Sequence, residues 1–138
     1  MSFAQIKSFA SVYLVMLLLL TACSKNVDSE TVAYQFVRLY FVEDKMAEAV
    51  TLASDSAKTK LEGFLREIDA AGVKEPARDK PLVTATLQEM QPIAQDAILY
   101  IYRVTSDVEV HGMKPITARL WLSKEGNTWY VSKFVQQE

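Results

Sequence analysis

The chain has one cysteine and one histidine in 138 residues, and these two scarcities exclude more chemistry than any motif supports. A single cysteine cannot close an internal disulfide or build a multi-cysteine metal site, and a lone histidine has no second imidazole for a metal pair. Only four glycines are present, and no Gly-x-Gly-x-x-Gly, P-loop or Gly-x-Ser-x-Gly occurs, so nucleotide cradling and serine hydrolysis lack their usual frameworks. No cofactor is expected. Excess positive charge is missing too: the formal charge is -2, and setting aside the first 22 residues with their one basic side chain, Lys7, leaves 14 basic against 17 acidic groups, or -3. Such a surface has little general attraction for phosphate backbones, and no nucleic-acid partner is expected. Long hydrophobic runs are also absent. The main one, from Val12 to Ala22, has 11 residues, against roughly 20 for a spanning helix.

What is present fits one packed domain. Hydrophobic residues make up 50% and charged residues 23%, an ordinary globular balance, and a chain of this length rarely divides its core. The first 22 residues read as an export signal: a short leading segment with one positive charge, a leucine-rich run, then Thr21-Ala22 before Cys23.

Leu20-Thr21-Ala22-Cys23 resembles the lipobox of bacterial lipoprotein signal peptides, in which an aliphatic residue and two small ones precede a cysteine. The resemblance implies diacylglycerol on the Cys23 thiol, cleavage after Ala22 and acylation of the new amine. Two or three chains anchor durably, since each buried methylene contributes about 0.8 kcal/mol. It also implies that Ser24, standing where an aspartate often marks inner-membrane retention, favours delivery to the outer membrane of a diderm cell, facing the periplasm. The expected layout is a signal peptide over 1–22, a lipidated cysteine and tether over 23–28, and a domain over 29–138. Ser24 to Asp28 span at most about 18 Å, so the domain must sit close to its bilayer.

From Asp28 onward the spacing is helical. Val32, Phe36, Leu39 and Tyr40 make one stripe, with Asp28 or Ser29 as the cap. Asp44 offers a second cap before Met46, Ala49, Val50 and Ala53. Ser54-Asp55-Ser56 offers a third before Ala57, Leu61, Phe64, Leu65 and Ile68. Gly72 predicts the helix end, and Pro76 and Pro81 bracket a charged connection over Lys74–Lys80. After Pro81 the period falls to 2. Val83, Ala85 and Leu87 predict a dry strand face; Ala97 to Val104, extending towards Val110, predicts a second strand; a turn at His111–Lys114, a strand over Ile116–Leu122, a turn at Glu125-Gly126-Asn127 and a strand over Thr128–Val135 follow. Helices first and a four-stranded antiparallel meander afterwards make an α+β fold, with the helices packed on one face of a curved sheet.

Three stretches carry a second resemblance: the helical region from Tyr34 to Ile68, the junction Leu52-Ala53-Ser54-Asp55-Ser56-Ala57, and Lys124-Glu125-Gly126-Asn127-Thr128-Trp129-Tyr130-Val131 as a closing hairpin. Together they resemble the cystatin-like cone of the nuclear transport factor 2-like superfamily. Enzymes of that superfamily use acids or tyrosines inside the cone, but no motif here places such a residue, and no catalytic residue is assigned.

Few residues invite a chemical role. His111 sits beside Gly112 in an expected turn, where polar residues serve solvation, and Asp96, Asp107 and Glu109 read as ordinary acids at strand ends. The aromatics are more informative. Ile116, Ala118, Leu120 and Leu122 share one face of the third strand, which leaves Trp121 on the other, and the second strand is apolar on both faces. Tyr100, Tyr102 and Trp121 are therefore the candidate interface residues, on a surface that would meet another protein or a second copy of the chain. Burial of both sheet faces is the competing explanation. The expected function is a non-enzymatic binding or assembly module held at the membrane by lipid on Cys23. The alternative is a cone pocket that takes a small apolar ligand, with weak enzyme activity.

Overall fold

The computed structural model describes residues 27–72, 82–106 and 114–138. The signal segment with Cys23, the connection over Lys74–Lys80, Pro76, Pro81, Asp107, Glu109 and the His111 turn lie outside them. Three helices pack against one face of an open four-stranded antiparallel sheet, the α+β arrangement read from the sequence. Among the described residues no helix is long and apolar enough to cross a membrane.

Helix α1, Ser29–Val37, starts where Asp28 accepts a hydrogen bond from the Thr31 N–H at 2.8 Å, which satisfies one of the orphan donors of the first turn and holds the Asp28 carboxyl below its ordinary pKa. Its buried row is Val32, Ala33, Phe36 and Val37. A π-turn over Arg38–Val42 follows, closed by Glu43 N–H donating to the Arg38 carbonyl at 2.9 Å. At 3.6 residues per turn, three consecutive side chains cannot all face one core. The wider turn lets Leu39, Tyr40 and Phe41 all pack against it. Tyr40 meets Phe134 and Phe41 edge-on, with ring centroids 5.2 and 4.6 Å apart.

Helix α2, Met46–Val50, begins at Lys45 rather than at the expected Asp44. Asp44 instead turns the chain with φ of 54°. Helix α3, Asp55–Ala71, buries Ala57 and Leu61 and ends at Gly72 with φ of 61°, the left-handed geometry for which glycine carries no steric cost. Its stripe outruns the core: Phe64 and Leu65 are half-buried and Ile68 is exposed.

The strands are β1 (Val83–Ala94), β2 (Ala97–Ser106), β3 (Ile116–Glu125) and β4 (Thr128–Gln137), in sheet order β1-β2-β3-β4. β1 runs through Pro92 to Ala94, well past Leu87. Proline is tolerated there because β1 is an edge strand, and bulges between Leu87 and Glu89 and between Pro92 and Ala94 interrupt its pairing. Leu87, expected on a dry face, is exposed because the helices do not reach over this part of β1.

The other edge is covered. Ala53 forms a parallel bridge with Val131, Ser54 N–H donates to the Val131 carbonyl at 2.9 Å, and Val131 N–H donates to the Leu52 carbonyl at 2.8 Å. Ser56 Oγ and Lys60 Nζ donate to the Ser132 and Phe134 carbonyls farther along. The core between helices and sheet is filled by Phe36, Leu61, Tyr100, Leu120, Leu122 and Val131, each 1% exposed or less.

Candidate functional site

The period of two along β2 and β3 decides which aromatics can share a surface. Tyr100 pairs with Leu120 and Tyr102 with Ala118, whereas Trp121 pairs with Leu99. Paired residues project to the same side of a sheet, so the two tyrosines lie on the helix side and Trp121 on the opposite one. Tyr100 is 1% and Tyr102 2% exposed. This corrects the expectation that Tyr100, Tyr102 and Trp121 form one interface: the two tyrosines belong to the core.

Each tyrosine carries a polar tip into that core. The Tyr100 hydroxyl lies 2.7 Å from Ser29 Oγ, a buried hydrogen bond between the first residue of α1 and the middle of β2. The Tyr102 phenol is pushed up to about 12, first by burial, then by the charge of Glu30 and by the neighbouring Tyr100 and Tyr34. Its neutral form is the one the fold accommodates.

Trp121 stays half-buried on the outer face. Beside it on β2 are Leu99 and Ile101, and across the sheet Val135 pairs with Arg119. All four apolar side chains are half-buried, with none of the described helices on this side. Two cations flank them. Lys133 Nζ lies 4.8 Å from the centroid of the Trp121 ring, and Arg119 Nη1 donates to Gln137 Oε1 at 3.0 Å. Lys133 lies over the Trp121 ring, and its long side chain covers part of that apolar surface. Leu99, Ile101 and Val135 are the members that the sequence reading left out. The signal was available in the alternation of β2, because whichever face Tyr100 takes, Leu99 and Ile101 must take the other.

The remaining candidates do not converge. Asp96 is exposed in the β1–β2 turn, where its carbonyl accepts from Lys124 N–H at 3.0 Å. Among the described residues no three His, Cys, Asp or Glu side chains gather closely enough to hold a metal ion. A groove of about 560 Å³ lies between α2 and the end of α3, with Met46, Leu65 and Ile68 on its walls, and it is open to solvent rather than enclosed by the sheet. No protein-family model matches the chain, and no curated protein matches it.

Proposed function

We propose that the protein is an envelope lipoprotein, anchored through Cys23 in the outer membrane and facing the periplasm, that acts as a non-enzymatic module docking another protein on the outer face of its sheet. The uncovered cluster of Leu99, Ile101, Trp121 and Val135 carries this reading. Tryptophan offers large contact area with few rotatable bonds, and a central tryptophan is the residue type most often dominant in an interface. Arg119 and Lys133 at its margin favour a partner with acidic groups around an apolar centre.

The test compares stability with association in the full-length protein. Trp121→Ala should weaken association by about thirtyfold, the equivalent of about 2 kcal/mol. It should cost far less stability than Leu120→Ala, whose side chain is wholly buried and whose loss should cost about 2–5 kcal/mol. Sedimentation velocity reads self-association, and a photoreactive amino acid at position 121, activated in living cells, reads contact with a different protein. Absence of both contacts, with Trp121→Ala as destabilising as Leu120→Ala, would reduce Trp121 to packing.

A further inference from the structure

Seven large apolar side chains are exposed among the described residues, and all but Ile68 lie on β1, at its entrance, or along α1 and its lead-in. The densest group is on the distal half of β1, with Leu87 38%, Met90 50% and Ile93 56% exposed. Through the register, Leu87 opposite Tyr102 and Met90 opposite Tyr100 are placed on the helix side of the sheet, at a strand that α1 does not cover. The same register places the start of α1. Tyr100 is hydrogen-bonded to Ser29, the first residue of α1, so α1 begins at the level of Met90. Five residues, 24–28, separate the cysteine from α1 and span at most about 18 Å.

We infer that Leu87 and Met90 rest on the bilayer that holds the lipid of Cys23, so that β1 fixes the orientation of the domain on its own membrane. The inference rests on the lipoprotein reading of Cys23. β1 carries no basic residue, and its one charged side chain, Glu89, pairs with Ile101 and so projects to the opposite side of the sheet. The contact is therefore apolar, made by side chains entering the headgroup boundary rather than by attraction to anionic lipid. It need not be strong. The anchor already supplies a high local concentration, and a contact too weak to recruit a free protein suffices to orient a tethered one.

The test uses full-length protein made in a bacterium, extracted in detergent and returned to phosphatidylcholine vesicles that carry a shallow spin-labelled lipid. A polarity-sensitive fluorophore is attached at Met90→Cys, with Ile68→Cys as the control exposed elsewhere. A Cys23 sulfur that carries diacylglycerol takes no label, so labelling of the unsubstituted protein reports on the anchor separately. Position 90 should shift to the blue and lose intensity to the spin label, while position 68 behaves as in water, and cooperative melting of both variants confirms the fold. Addition of phosphatidylglycerol or salt should leave the quenching unchanged. Equal behaviour at positions 90 and 68 in vesicle-bound protein overturns the inference and leaves the anchor intact, and quenching that needs anionic lipid overturns its apolar basis. Label entering Cys23, with protein that does not sediment with vesicles, overturns the anchor and the inference together.

Discussion

Ser29 Oγ and the Tyr100 hydroxyl lie 2.7 Å apart in a buried position, and this one contact pins the start of α1 to the centre of the sheet. Either partner left alone would strand a hydroxyl away from water. Ser29→Ala and Tyr100→Phe should each destabilise the domain by about 1–3 kcal/mol. The double variant should lose less than the sum of the two, because no orphaned group remains. Chemical denaturation of the four proteins measures the coupling, and strict additivity would show that the pair does not interact.

Tyr102 predicts the alkaline limit of stability. Its pKa stands at about 12 against an ordinary 10.0, so the folded state favours the neutral phenol. The stability this confers is complete below pH 10 and is lost as the pH rises towards 12. Absorbance at the phenolate band should therefore show a tyrosine that ionises late, together with loss of structure. Tyr102→Phe should remove that component and flatten the stability profile between pH 10 and 12. An unchanged profile would assign the transition to another group.

Two glycines of α3 should respond in opposite directions. Gly63 lies inside the helix with nothing within 4 Å of where a Cβ would stand, whereas Gly72 closes it at φ of 61°. Gly63→Ala should stabilise by about 0.5–1 kcal/mol through reduced backbone entropy of the unfolded chain. Gly72→Ala should destabilise by about 1–2 kcal/mol through left-handed strain. Thermal melts of the two variants should move to opposite sides of the parent.

Cys23→Ser should abolish incorporation of radioactive fatty acid, leave the precursor uncut and release the protein from the membrane fraction. Incorporation equal to the parent would end the lipoprotein reading, and with it the short distance between the domain and the bilayer.

Much of the fold is legible in the alternation of apolar residues. Ile116, Ala118, Leu120 and Leu122 turn inward as the period of two requires, Asp28 caps α1, and Gly72 and Gly126 both take positive φ where a helix and a hairpin end. What escapes a single sequence depends on partners far along the chain. The β1–β2 turn is Gln95-Asp96, between the paired Ala94 and Ala97, and lacks the Asn-Gly type of signal that would fix its register. Tyr100 and Tyr102 are separated from Trp121 by a different pairing, that of β2 with β3, which sets Leu99 opposite Trp121 and Tyr100 opposite Leu120. The π-turn at Arg38–Val42 is equally hidden, because Leu39, Tyr40 and Phe41 call for it only once Phe134 stands opposite them. The bridge from Ala53 to Val131 joins two segments with no shared local pattern.

That bridge has a consequence for how many chains can join by their sheets. With Leu52–Ser54 hydrogen-bonded to Val131, the β4 border is interrupted, and among the described residues β1 is the edge left open. Growth of a continuous sheet requires a donor edge and an acceptor edge on every subunit, as in a linear polymer built from bifunctional monomers. With that border blocked, the described sheet is monofunctional, and pairing through β1 would terminate at two molecules rather than propagate as a continuous sheet.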